Sequence, residues 1–423
     1  MNHHLRRLPV ILFLASCALH ATPWPQYRGP NGDGSSSEKI AAWPVTGPKQ
    51  VWKVASPNGF SSFAVADGRA FTLEGREPEG VKQEVLVARD AATGKELWMQ
   101  PVGIAKYDGG GDDGSSSNKG GDGPRSSPAV AGNAVIVMNA QFSLEAFDVS
   151  SGKSIWKRDL IKEHSGPNLR WGNAASPVVD GGVLYVAGGG SGQTVLALNP
   201  ADGAVITKAF DEKVTHATPT PATLHGQRQI IFFFQSGLLA VEPQTLKELW
   251  RYKFPYRVSS AASPVVSGDI VYCSAGYGVG AGAVRVTHTA GAWQASEIFR
   301  VPGDKELANH WSTPVASGGH LYGMFQFKQY GQGPIKCVDL STGTVKWERP
   351  GFGPGNVVLA GDKVIALSDT GELVVFEANP EAYKEVARAK VLEGKCWTTP
   401  VLSDGRIYAR STKEAVCLEL SGK

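Results

Sequence analysis

Arg125-Ser-Ser-Pro-Ala-Val130, followed by Asp148-Val-Ser-Ser-Gly-Lys-Ser-Ile-Trp156, is the stretch that decides the fold. The phrase returns as Trp311-Ser-Thr-Pro-Val-Ala316 with Asp339-Leu-Ser-Thr-Gly-Thr-Val-Lys-Trp347. Its second half recurs alone as Asp90-Ala-Ala-Thr-Gly-Lys-Glu-Leu-Trp98, and with weaker turn chemistry as Glu242-Pro-Gln-Thr-Leu-Lys-Glu-Leu-Trp250. The Ser/Thr-Pro marker falls at Pro128, Pro177, Pro219, Pro264, Pro314 and Pro400, and Phe63 and Asn356 hold the slot in two degenerate copies. Successive intervals lie between 42 and 50 residues, apart from a first interval of 65. That period belongs to four-stranded propeller blades rather than to helical repeats.

Each copy reads as four strands. In the third, Pro177-Val-Val precedes an Asp180-Gly-Gly182 turn and Val183-Leu-Tyr-Val186. Thr194-Val-Leu-Ala-Leu198 then leads through Pro200-Ala-Asp-Gly203 to Ala204-Val-Ile206. Short β-rich runs divided by Asp-Gly and Gly-Gly are hairpin signals. Trp98, Trp156, Trp250 and Trp347 recur on the fourth strand, with Phe299 and Ile206 as substitutes, and are read as wedges between blades.

Eight copies are counted, and the last stops one strand short of a blade. Gln50-Val-Trp-Lys-Val54, with Trp52 in the wedge position, matches Glu96-Leu-Trp-Met99 and supplies the missing strand. The expectation is an all-β, eight-bladed propeller of antiparallel blades, closed by an N-terminal strand that completes the last blade and covers its edge. The expected divisions are a signal peptide over 1–21, an arm over 22–46 and the propeller over 47–423.

Asp-x-x-(Thr/Ser)-Gly-x-x-x-Trp with a Ser-Pro-Val opening resembles the pyrroloquinoline-quinone (PQQ) repeat family, over residues ~50–423. That family includes quinoprotein dehydrogenases and outer-membrane assembly lipoproteins of the BamB type. The resemblance implies the fold strongly and an activity weakly, because one fold hosts many functions. The dehydrogenases use PQQ with calcium, and many carry a vicinal Cys-Cys pair. This chain has no adjacent cysteines, no Cys-x-x-Cys-His and no obvious calcium set in matching repeats. Catalytic templates such as Gly-x-Ser-x-Gly and His-Glu-x-x-His are missing too. No catalytic residue, metal site or cofactor is therefore assigned, with PQQ and calcium kept as the runner-up. The favoured expectation is a non-catalytic, BamB-like envelope protein that binds protein partners; a saccharide-binding propeller is the further alternative.

Asn2-His-His-Leu-Arg-Arg7 and the apolar Leu8–Leu14 run read as an export signal. Leu14-Ala-Ser-Cys17 resembles a lipobox, which would make Cys17 a lipidated N-terminus; cleavage near Ala18 or Ala21 is the alternative. The expected location is the periplasm, free or anchored to the outer membrane, and a monomer is expected. Removing the segment with Arg6 and Arg7 lowers the formal charge from +3 to +1. Without a basic stripe, nothing points to nucleic acid. Cys273, Cys337, Cys396 and Cys417 fit neither a zinc spacing nor a disulfide framework and are read as buried thiols.

Loop length marks a working face. First-to-second-strand turns stay short, as at Asp67-Gly68 and Gly268-Asp269, whereas second-to-third-strand and blade-to-blade connections vary, as at 74–83, 275–282, 326–334 and 103–124. Variable loops on a rigid scaffold commonly carry binding. Three residues before each Pro marker, at the channel mouth on that face, stand Phe60, Arg125, Ala174, His216, Ala261, Trp311, Gly353 and Trp397. Phe60, Arg125, His216, Trp311 and Trp397 are the candidate ligand- or partner-binding residues, against the plainer reading that they plug the funnel. Asp108, Asp112, Asp113 and Asp122 are suited to calcium, but their Gly/Ser-rich setting reads better as a mobile loop.

Overall fold

The computed structural model describes residues 22–41, 43–44, 46–107, 123–325 and 331–420. Cys17 and the aspartates of 108–122 lie outside the described residues. Each repeat folds as an antiparallel sheet of four strands, a to d from the channel axis outward. Blades 1 to 7 cover 64–104, 129–159, 178–209, 220–253, 265–301, 315–349 and 356–390. Blade 8 combines Val401–Ser403, Arg406–Arg410 and Glu414–Glu419 with the N-terminal strand Lys49–Ala55. Trp52 pairs with Cys417 and Ala55 with Glu414, so both ends of the propeller chain share one sheet and the ring closes as expected.

The recurring phrase is a docking device between blades. In all eight blades the c–d pairing shifts register at the start of strand d. Such a shift bends the strand and re-aims its side chain. Trp52, Trp98, Trp156 and Trp347 each donate the indole N–H to a carbonyl in the next blade's turn: Ala91, Val149, Pro200 and Asn379, at 2.8–3.2 Å. The turn's glycine completes the fit. A Cβ on Gly94, Gly152 or Gly203 would stand 2.7 Å from the ring of Trp52, Trp98 or Trp156. Trp250 differs, because its N–H goes to Gln229 of its own blade. Where Ile206 replaces tryptophan, the facing turn carries Leu246 in place of glycine.

The Ser/Thr before each Pro marker laces the inner strands together. The amide of Ser62 donates to the hydroxyl of Ser127, Ser127 to Ser176, Ser176 to Thr218, and Ser263 to Thr313. Strands b and c are buried and form the inter-blade cores. Cys273, Cys337, Cys396 and Cys417 lie there as free thiols.

Three features depart from the sequence reading. The second-to-third-strand loops of blades 1 and 5 are shorter than the segments 74–83 and 275–282, because strands run to Arg76 and Ala275 and resume at Gln83 and Gly280. The opposite face is not uniformly short either. In blade 5 strands c and d are 10 residues each, and their hairpin is braced by His288 stacked on Trp293 at 4.2 Å. A five-residue helix, Leu160–His164, stands between blades 2 and 3 and is capped by Asp159.

The N-terminal arm crosses the channel on the face opposite the mouth. Trp24 bridges Val65, Gln26 bonds Val179 in both directions, and Ser35–Ser36 adds a parallel fifth strand to blade 7. Arg28 is buried and donates to the carbonyls of Thr313, Pro314 and Asp33. These contacts tie the arm to blades 1, 3, 6 and 7.

Candidate functional site

With the arm on one side, the channel forms a cup-shaped cavity among the described residues. The cavity measures about 340 Å³, and Tyr27 of the arm lines it. All five sequence candidates, Phe60, Arg125, His216, Trp311 and Trp397, line it as well. The repeat brings them together because each stands four residues before the innermost strand of its own blade. Ala174 and Ala261 join them at the same repeat position. Trp171 is in the lining; Arg257 is outside it, donating to the carbonyl of Tyr277.

The aromatic residues meet as a collar lining the cavity. Phe60 lies 5.1 Å from Trp397, Trp397 4.3 Å from Trp311, and Trp311 5.1 Å from His310. His310 meets Tyr277 edge-on at 5.1 Å, and Tyr277 stacks on Trp171 at 6.4 Å. Arg125 closes the circle by donating to the carbonyl of Trp171 at 2.8 Å. Trp171 and Tyr277 both hold left-handed backbone, at φ +67° and +60°. Bulky residues rarely adopt that conformation, which costs of order 1–3 kcal/mol where it persists.

Cations surround the cup. Arg170 lies over Trp171 at 4.6 Å, and the buried Lys395 ammonium sits 4.3 Å from the Trp397 centroid. No Asp or Glu is among the described lining residues. His216 is neutral at ordinary pH: burial, with Arg125 adding to it, pushes its pKa down to about 4. Its ring bonds the Arg170 carbonyl and the Ser259 hydroxyl. The indole N–H groups of Trp311 and Trp397 are buried without an acceptor among the described residues.

Sequence reasoning missed Arg170, Tyr277, His310 and Tyr27. His310 is one residue from a collar position, while Arg170 and Tyr277 lie in connections outside the repeat register. Tyr27 precedes the repeats altogether.

The BamB-family model, described as outer membrane protein assembly factor BamB, matches residues 36–209 and 81–349. The chain belongs to the BamB family. BamB of Burkholderia pseudomallei is 26% identical over 252 residues, 59% of this chain and 61% of that protein. The match thus spans about three fifths of that relative's length. BamB of Shewanella oneidensis is 23% identical over 349 residues, 69% of this chain and 84% of that one. Two solved structures share the fold, each at 14% identity. BamB from Moraxella catarrhalis has a TM-score of 0.58, covering 88% of this chain and 99% of its own. The quinohemoprotein alcohol dehydrogenase of Comamonas testosteroni has a TM-score of 0.66, covering 95% and 81%.

The dehydrogenase branch of the wider repeat class implies PQQ held with calcium. Calcium takes six to eight oxygen ligands, several of them carboxylates. The cup's described lining offers no carboxylate, and no cluster of three His, Cys, Asp or Glu side chains suited to a metal occurs among the described residues. The nearby Asp369 is fully buried and accepts from the Gly331 amide. Burial raises its pKa to about 6. Among the described residues, the cup's donor set does not fit calcium.

Proposed function

We propose that this chain is an envelope scaffold of the BamB kind, engaging a protein partner in outer-membrane protein assembly through its variable-loop face. The observation that carries the reading is the family match across most of the ring, and the relatives in that match bear the name of assembly factors. The leader-like segment before residue 22 supports an exported location, in the periplasm or anchored by lipid at Cys17. Ser403 donates to the carbonyl of Thr22 on the arm face, and residues 17 to 22 reach at most about 18 Å. A lipid at Cys17 would therefore turn the arm face to the membrane and the mouth away from it.

The seat proposed for the partner is the set of loops around the mouth, and Val81 on the blade 1 loop, 47% exposed, supports it. Deleting the gene in its own organism tests the function. The expected result is a lower level of β-barrel proteins in the outer membrane, restored by the wild-type chain but not by one with residues 77–82 replaced by a Gly-Ser linker. Unchanged β-barrel levels in the deletion strain would remove the reading.

A further inference from the structure

The hairpin between strands c and d of blade 5 is unlike its counterparts. In the other seven blades strand c ends level with the end of strand b it pairs with. In blade 5 the b–c pairing stops at Ile270 with Arg285, and strand c runs on to Thr289, paired only with strand d. Four further residues on each side carry the turn roughly 13 Å beyond the blade. Blade 4 braces the root: His225 Nε2 donates to the Val286 carbonyl at 2.7 Å, and its ring lies 6.0 Å from Trp293. His288 stacked on Trp293 stiffens the tip.

The chemistry of the hairpin differs as well. Val286 to Ser296 include no Asp, Glu, Lys or Arg. In every other blade a charge stands at the last residue of strand c or within the turn, as at Asp90, Asp148, Glu242 and Asp339. Charge of that kind normally guards an exposed edge in water. Here His288 to Ala292 are exposed without it, and Trp293 is half-buried. An uncharged tip avoids the cost of desolvating ions at a bilayer, and tryptophan favours the membrane–water interface.

The hairpin projects from the arm face, because c–d and a–b turns share one end of each blade and the arm bonds the a–b turns at Gly361 and Gly405. Thr22, where the leader-like segment joins, is held on that same face by Ser403 of blade 8, three blades round the ring.

We propose that the blade 5 hairpin rests in the head-group layer of a phospholipid bilayer, as a second contact that fixes the tilt of the ring on the membrane. Trp293 sits at the interface, and Thr289 and Gln294 offer hydrogen bonds to head groups. The tilt rests on the lipid anchor proposed at Cys17; the hairpin's own contact does not.

Fluorescence on protein attached to vesicles of phosphatidylethanolamine and phosphatidylglycerol tests it. One chain is attached by its own lipid, and another, starting at residue 22 behind a hexahistidine tag, by a nickel-chelating lipid. An environment-sensitive fluorophore on Ala290→Cys reports the tip, and one on Val81→Cys reports the mouth face; Cys273, Cys337, Cys396 and Cys417 are buried. The tip label should shift to the blue and be quenched by doxyl lipids, and the mouth label should do neither. Ala292→Glu and Trp293→Ser should each abolish the tip response, and Trp293→Phe should keep it. Unchanged thermal unfolding of Ala292→Glu establishes that the loss is not one of folding. A chain that joins vesicles only through the tag removes the lipid anchor, and its tip response then still supports the hairpin contact. No tip response on the tagged vesicles, an equal response at Val81, or a response that survives both Ala292→Glu and Trp293→Ser would each overturn the proposal. So would a tip response that rises with protein concentration in the absence of vesicles, the mark of pairing between copies.

Discussion

Gly152 lies against the indole of Trp98 so closely that a Cβ at this glycine would sit 2.7 Å from the ring. Its backbone is left-handed, at φ +70°. Gly132 is also left-handed, at φ +57°, but faces open space. The pair separates backbone strain from docking. Gly132→Ala should lose about 1 kcal/mol, and Gly152→Ala about 2–3 kcal/mol, since overpacking adds to the strain. Urea unfolding measures both. In the Trp98→Ala background the cost of Gly152→Ala should fall to that of Gly132→Ala.

A buried charge cluster secures the seam where blade 8 meets blade 1. Glu74 receives the Ser56 hydroxyl, Arg76 and Arg89, while Arg410 of blade 8 is fully buried and bonds Thr72 and the carbonyls of Leu73, Pro57 and Asn58. Burial alone would raise the Glu74 pKa, but Arg410, Arg76 and Arg89 outweigh it and hold the carboxyl below its ordinary value. Its stabilisation is therefore present above the unfolded-state pKa and lost as pH falls through the folded one. Glu74→Gln should cost about 3–5 kcal/mol at pH 7, because it leaves buried guanidinium groups uncompensated. The loss relative to wild type should shrink in acid; denaturation across pH 3–7 measures it.

His216 carries the opposite ionisation with the same sign of pH effect. Its folded pKa of about 4 lies below the ordinary 6.5, so the unfolded chain binds the proton more readily between those values. Stability from this residue should be complete above pH 6.5 and fall as pH drops toward 4. Imidazole chemical shifts should show His216 neutral at pH 6; a midpoint near 6.5 would contradict the buried, doubly bonded ring.

The arm should be structural and not an appendage. Arg28→Ala removes donors to Thr313 and Pro314. Loss of hydrogen bonds from a buried charged group predicts destabilisation of about 2–4 kcal/mol, read by thermal unfolding.

The ring was legible because its determinants repeat. Trp98, Trp156 and Trp347 with their Asp-x-x-x-Gly turns recur at one spacing, and the short last blade pointed to Trp52. The mouth positions followed from the same register, which is why Phe60, Arg125, His216, Trp311 and Trp397 do meet. What does not repeat stayed hidden. Tyr27 and Arg28 act once, from a segment without internal pattern. Arg410 and Glu74 look like surface charges until the seam buries them. The blade 5 hairpin lengthened where the alternation of Val284, Val286 and Ala295 continues past the usual turn.

Site-specific photocrosslinking in the native envelope tests the working-face claim most directly. Benzoylphenylalanine would be placed at Val81 and Gly278 on the mouth loops, and at Gly132 and Gly291 on the opposite turns, all exposed positions. The account predicts a discrete crosslink to an outer-membrane assembly protein from the mouth positions only. Crosslinks to such a protein from Gly132 or Gly291, with none from Val81 or Gly278, would contradict it.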